Sequence, residues 1–191
     1  MVTTERPEGQ DAGDLGTGGI GRDDILTPRL GVAQKTSPEI DPTHARYIDG
    51  VKFTDMFNSI TKRNYGQGPL YFAVLRADRP RWVEFRPLAE GGGVVDPNVP
   101  AHDPRTQFGQ PDPATGRSEK PVATKFYDFV ALLLNDFDPS DPMANVVGLS
   151  FKSTGIKVAK HLNLLITQRG KKFIYKGLYE LRSGSDSNQS A

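Results

Sequence analysis

The chain has 191 residues, of which 36% are hydrophobic, 20 are Gly and 15 are Pro, with a formal net charge of +1. That is enough for one domain with a hydrophobic core, but the Gly and Pro content assigns much of the chain to loops and arms. The absence of cysteine excludes disulfides, thiolate zinc sites and Cys nucleophiles, and no apolar run of membrane-spanning length or apolar signal core is present. The expectation is therefore a soluble cytoplasmic protein with no membrane partner.

Residues 1–23 are rich in Gly, Thr and acids and predict a flexible N-terminal arm. Residues 24–182 read as one domain, and residues 183–191 as a polar tail. In residues 25–37 (ILTPRLGVAQKTS), Pro28 and Pro38 argue against one long helix, so an extended arm or a short docked helix is expected. Asp41-Pro42 and Asp49-Gly50 are turn signals. Residues 51–60 predict a strand with Phe53 and Phe57 on one side, followed by a basic loop, TKRNYG, with Tyr65 as its aromatic.

The stretch 70–95 (LYFAVLRADRPRWVEFRPLAEGGGVV) is the centre of the reading. Residues 70–75 predict a half-buried strand, Ala77-Asp78-Arg79-Pro80 a turn, and residues 81–86 a second strand. Alternation places Arg81, Val83 and Phe85 on one side and Trp82, Glu84 and Arg86 on the other. Gly91-Gly92-Gly93 lacks the helix and the Lys and Ser/Thr that a phosphate loop needs, and reads as a flexible hinge. Residues 96–121 carry six prolines and read as a surface excursion or partly disordered loop.

Residues 124–135 (TKFYDFVALLLN) form the most apolar run and predict a central strand, buried on both faces for part of its length. A turn at 135–142 and a strand at 146–152 follow. Ser153 or Thr154 then caps a helix running to Gln168, with Val158, Ala159, Leu162, Leu165 and Ile166 on one stripe. Lys157, Lys160 and His161 lie opposite, and Arg169-Gly170 ends the helix. Residues 171–182 predict a last strand bent at Gly177. The order suits a small mainly β barrel with one packing helix, of which the OB-fold is a nucleic-acid-binding form; α+β sandwiches fit it as well.

Catalytic and metal chemistry is weakly represented. His44, His102 and His161 lack metal-ligand spacing, and Asp136, Asp138 and Asp141 lack the glycine and closing glutamate of a calcium loop. No catalytic triad or nucleophile elbow is visible, so neither an enzyme, a metal site nor a cofactor is predicted. The charge distribution says more. Between residues 150 and 182, eight basic residues face one acid, Glu180. A basic half on a nearly neutral chain suits a polyanion-binding face.

Three segments resemble a family of phage-encoded proteins related to phage single-stranded-DNA-binding proteins. They are Asp24-Ile25-Leu26-Thr27-Pro28-Arg29-Leu30 with Gln34 and Ser37-Pro38-Glu39; Trp82-Val83-Glu84-Phe85-Arg86-Pro87 with Gly91 to Gly93; and Leu149-Ser150-Phe151-Lys152-Ser153-Thr154. The resemblance implies an OB-like barrel that coats single-stranded DNA during phage replication or recombination, in the host cytoplasm and beside replication or recombination proteins. The chain departs from the pattern by ending Ser-Asp-Ser-Asn-Gln-Ser-Ala, without an acidic tail and terminal aromatic.

The leading expectation is a non-catalytic protein that binds single-stranded DNA, or alternatively RNA, with its oligomeric state open. Trp82, Tyr71 or Phe72, and Tyr65 would stack on bases. Arg79, Arg81, Arg86, Lys62 and Arg63 would track phosphates, and Lys152, Lys157 and Lys160 would widen the basic face. The rival expectation is a structural protein of a virus particle, gripping neighbours with its N-terminal arm and proline-rich loop.

Overall fold

The computed structural model describes residues 28–135, 137, 139–140, 145–168 and 171–184, and places nine strands in one sheet. In chain order these are β1 (Arg29–Val32), β2 (Met56–Asn58), β3 (Asn64–Gly66), β4 (Leu70–Ala77), β5 (Arg81–Phe85), β6 (Val94–Val99), β7 (Ala123–Leu133), β8 (Val146–Lys152) and β9 (Leu178–Leu181). The helix α1 (Ile156–Gln168) lies between β8 and β9 in sequence. In space the order is β3-β2-β1-β8-β7-β4-β9, with β5 also paired to β7 and β6 paired to β5. The protein is mainly β with one helix among the described residues, and its sheet curls into a half-barrel. The predicted arm at 1–23, the acids Asp136, Asp138 and Asp141, the Arg169-Gly170 helix stop and tail residues 185–191 lie outside the described residues.

The long strand β7 is the axis. It pairs antiparallel with β8 on one side and with β4 and β5 in succession on the other. Its odd-numbered residues Tyr127, Phe129, Ala131 and Leu133 are buried in the main core, with Phe72, Val74, Val147, Leu149 and Tyr179. Ala159, Leu162 and Ile166 of α1, at helical spacing, close that inner face. Val158 was expected in the same stripe but is exposed. The helix starts at Ile156 after a 3-10 turn at Ser153–Gly155, so neither Ser153 nor Thr154 stands immediately before it as a cap.

The outer face is covered differently. Over β1 and β2 it carries a second small core of Ala33, Ile48, Val51 and Phe57. Gly31 lies opposite Phe57, where a Cβ would come within 2.6 Å of the ring. Elsewhere on that face β7 presents Phe126, Asp128, Val130 and Leu132 opposite Lys152, Ser150, Gly148 and Val146 of β8. The ends of the sheet approach at one corner. The Ser183 N–H donates to the Gln67 carbonyl at 3.0 Å, joining the chain after β9 to the β3–β4 connection, and the Ser183 hydroxyl donates to the Thr54 carbonyl.

Several expectations need correction. Residues 77–80 do not turn the chain back, because β4 and β5 both run antiparallel to β7. Ala77 lies opposite Phe129 and Arg81 opposite Phe126, so one extra residue is accommodated as a bulge. The three glycines close a β-hairpin. They sit at positive φ in the β5–β6 connection, where the Arg86 N–H donates to the Gly93 carbonyl at 2.9 Å. The first part of the proline-rich excursion is strand β6, which tolerates Pro97 because it is an edge strand.

Residues 29–32 are neither a loose arm nor a helix but a strand between β2 and β8. The strand expected over 51–60 is only Met56–Asn58. Thr54, at φ 72°, breaks the run and leaves Phe53 exposed while Phe57 is buried. The expected last strand is a 3-10 turn at Lys171–Lys176 followed by β9, with Gly177 at the break.

Candidate nucleic-acid interface

At its N-terminal half β7 meets β5, and alternation gives each face a separate aromatic and cationic group. Arg81, Val83 and Phe85 share the outer face with Phe126, while Trp82 lies opposite Lys125 on the inner side. Phe126 is the floor of the outer group and is only 8% exposed. The Arg81 guanidinium lies 5.1 Å from its ring centroid, Lys152 Nζ lies 5.8 Å away, and the Phe85 ring packs at 6.0 Å. Lys152 Nζ also sits 5.7 Å from the Phe85 ring, which is 39% exposed. Cations over ring faces are held by the ring quadrupole and still present charge to solvent.

Asp128 fixes this group from below. It accepts from Arg81 Nε at 2.6 Å and from the Ser150 hydroxyl. Arg81 is thereby oriented and its charge partly offset, whereas Lys152 forms no ion pair among the described residues. The surplus positive charge of the outer group therefore sits on Lys152. On the inner side, Lys125 Nζ lies 5.4 Å from the Trp82 ring and 5.5 Å from the Tyr127 ring.

The other expected residues are distributed unevenly. Arg79 and Arg86 are exposed at the two ends of β5, on either side of the cluster. Tyr71 is 40% exposed on β4, whereas Phe72 is 3% exposed and packs on Tyr179 in the core, so burial removes Phe72 as a stacking surface. Lys62, Arg63 and Tyr65 lie at the β2–β3 edge, with the Arg63 guanidinium 5.4 Å from the Tyr65 ring. Four strand steps separate β3 from β7, about 19 Å along the sheet. Lys157 and Lys160 are on the exposed side of α1, which packs on the inner face. The structure thus joins Arg81 and Lys152 on the outer face beside β5, with Arg79 and Arg86 at the strand's ends, places Trp82 on the inner side with Lys125, and leaves the remainder apart.

Sequence reasoning missed Phe85, Lys125 and Phe126 as members of the group. Their signal was present: Lys125 and Asp128 interrupt an otherwise apolar strand, and a charged residue there needs a partner or an exit to water.

A charge network pins the β5–β6 hairpin to the segment after it. Arg105, in the 3-10 turn Pro104–Thr106, bonds Glu84 at 2.6 Å, Asp96 at 3.3 Å and Asp103 at 2.8 Å. The hydrogen bonds from Arg105 hold the Asp103 carboxyl at about 2, below the ordinary carboxylate range, and Asp103 and Glu84 raise the guanidinium in turn. The excursion is therefore anchored at residues 94–99 and 103–106.

No group of three or more His, Asp or Glu residues among the described residues could hold a metal ion, and no helix there is long and apolar enough to cross a membrane. A family model described as Pam3 phage gp34-like protein matches residues 3–191. The chain belongs to that phage family. Neither a curated protein nor a solved structure matches it. For this gp34-like family member, the match covers the sheet, the helix and the β5–β7 cluster together.

Proposed function

We propose that this phage-family protein binds single-stranded DNA, without sequence preference, on an OB-like half-barrel. The observation that carries the reading is the β5–β7 region, where Phe85 with Lys152 and Arg81 on the outer face, and Trp82 with Lys125 on the inner side, pair rings with cations, and Arg79 and Arg86 flank the strand. Stacking on rings is tolerant of sequence because every base has a π-face, and phosphate contacts supply salt-dependent affinity. Coating of DNA in the host cytoplasm, beside replication or recombination proteins, is the corresponding role. No step in it requires a catalytic residue or cofactor.

The test is titration of the purified chain with a fluorescent oligo-dT at two salt concentrations, following emission from Trp82, the chain's single indole. Binding should quench that emission and weaken steeply with salt, and duplex of equal length should bind less well because its bases are not free to stack. Equal affinity for duplex, or no binding at low salt, overturns the reading. The second reading is a virion component, favoured by the anchored excursion and by Leu88, Phe108 and Val122, which are exposed beside it. Absence of oligonucleotide binding together with self-association through that region would establish it.

A further inference from the structure

We propose that the open edge of β9, with the cleft between it and α1, is a docking site for an extended segment of a partner protein. That segment is apolar and acidic, and it adds to the sheet as a further strand. The cleft lies on the inner side, where α1 packs, so the site stands whether or not the outer face binds DNA.

The first support is the direction of the main chain in β9. Tyr71 turns its backbone polar groups away from β9: its N–H donates to Asn135 Oδ1 at 2.7 Å, and its carbonyl accepts from the Leu134 N–H at 2.8 Å. Alternation then turns those of Leu70 and Phe72 toward β9, where they meet Leu181 and Tyr179. Leu178 and Glu180 are left with N–H and C=O groups directed away from β4. No strand or loop among the described residues pairs with them. Donors and acceptors in strand spacing on an open edge take another extended chain.

The second support is the cleft beside that edge. It holds about 190 Å³ and is lined by Val158, Leu162 and Leu165 of α1, by Leu178 and Tyr179 of β9, and by Phe72. Sites for small molecules hold roughly 300–1,000 Å³, so this one suits one or two apolar side chains instead. Val158 and Leu178 are exposed there, which accounts for Val158 leaving the core stripe. Charge then selects the partner. The helix carries Lys157 and Lys160 and no acid, and neither lysine forms an ion pair among the described residues. Glu180, the acid that lines the cleft, is bonded to Arg182 Nε at 2.5 Å. A second copy paired β9 to β9 would bring its own basic helix toward this one. Carboxylates alternating with apolar side chains would instead meet Lys157 and Lys160.

The test titrates the full chain with a short fluorescein-labelled peptide of alternating Glu and Leu, beside its Lys and Leu counterpart. Anisotropy and amide signals are followed together. The Glu peptide should bind, move the amide signals of Leu178 and Glu180 and protect them from hydrogen exchange, and the Lys peptide should bind about tenfold more weakly. Of two further peptides, methylated at the Leu nitrogens or at the Glu nitrogens, one should lose about fivefold in affinity per missing hydrogen bond and the other little. Val158→Glu, at an exposed position, should leave the melting temperature unchanged and weaken the Glu peptide about tenfold by setting a carboxylate in the cleft. No binding at millimolar peptide, binding untouched by Val158→Glu, or equal loss from both methylated peptides overturns the proposal. So does movement of the Lys152 signal in place of Leu178. Movement of the Leu178 and Glu180 signals on concentrating the chain alone also overturns it, and gives the edge to a second copy.

Discussion

The two halves of β7 are made from the same kind of residues and put to different uses. From Phe129 to Leu133 the strand lies between β4 and β8 under α1, and its odd-numbered residues are sealed in the core. From Ala123 to Asp128 it lies beside β5, and cations stand over its rings, Arg81 and Lys152 over Phe126 and Lys125 over Tyr127, which packs in the main core as well. A ring covered by Leu and Val has no contact left to offer. A ring covered by Lys152 or Lys125 has a neighbour that a phosphate can draw away, which frees the face for a base. What covers an aromatic residue therefore distinguishes stability from recognition better than its burial does, since Phe126 and Phe129 are both buried.

The largest effect should come from breaking the sealed half. Phe129→Ala leaves a cavity against Phe151, whose ring lies 5.9 Å away, and should lower unfolding free energy by about 3–5 kcal/mol in denaturant titration. Phe85→Ala should leave the denaturation midpoint nearly unchanged and weaken oligonucleotide binding by about 1–3 kcal/mol. If Phe85→Ala unfolds the chain and leaves binding intact in what remains folded, the division of β7 is wrong.

A smaller effect sharpens the comparison on the cationic side. Lys152→Ala should reduce both affinity and the salt slope of binding, by about one counterion's share. Lys157→Ala with Lys160→Ala should alter both less, because α1 packs on the inner face, opposite Phe85, Arg81 and Lys152. Equal losses would mean that the basic surface works as a whole.

The local strength of the hairpin anchor is the subtlest test. Asp103 is held at about 2, so its contribution is fully present above an ordinary carboxylate value of about 3.9 and is lost as pH falls through about 2. Amide signals of residues 103–106 should hold their positions from pH 7 to 4 and move between pH 4 and 2. In Arg105→Ala they should move at higher pH, and chymotrypsin should cut after Phe108 sooner. Unchanged cleavage would show that the network does not anchor the excursion.

The sequence made some of this visible and hid the rest for definable reasons. Residues 146–152 and 81–85 declared themselves because a strand of five or more residues carries its own alternation. The four-residue β1 could not, since its place depends on partners from Met56 to Asn58 on one side and Gly148 to Leu149 on the other. Pro97 disguised β6, because a proline marks a loop unless the strand is known to be an edge. Arg81, Trp82 and Arg86 were recognisable as a group from one strand. Lys125 and Phe126 required the cross-strand register, which no local pattern contains.

The pairing of β4 with β9 has a consequence for synthesis. Leu70 lies opposite Leu181 and Ala73 opposite Leu178, so the edge of β4 waits for more than a hundred further residues before it is covered. Likewise β1 waits for β8. While the chain is still being translated, β4 has an uncovered flank of N–H and C=O groups and can recruit the wrong strand. Such long-range pairings also slow closure, since each must overcome the entropy of a large loop. Chains halted before Leu178 should therefore be the form of this protein that aggregates.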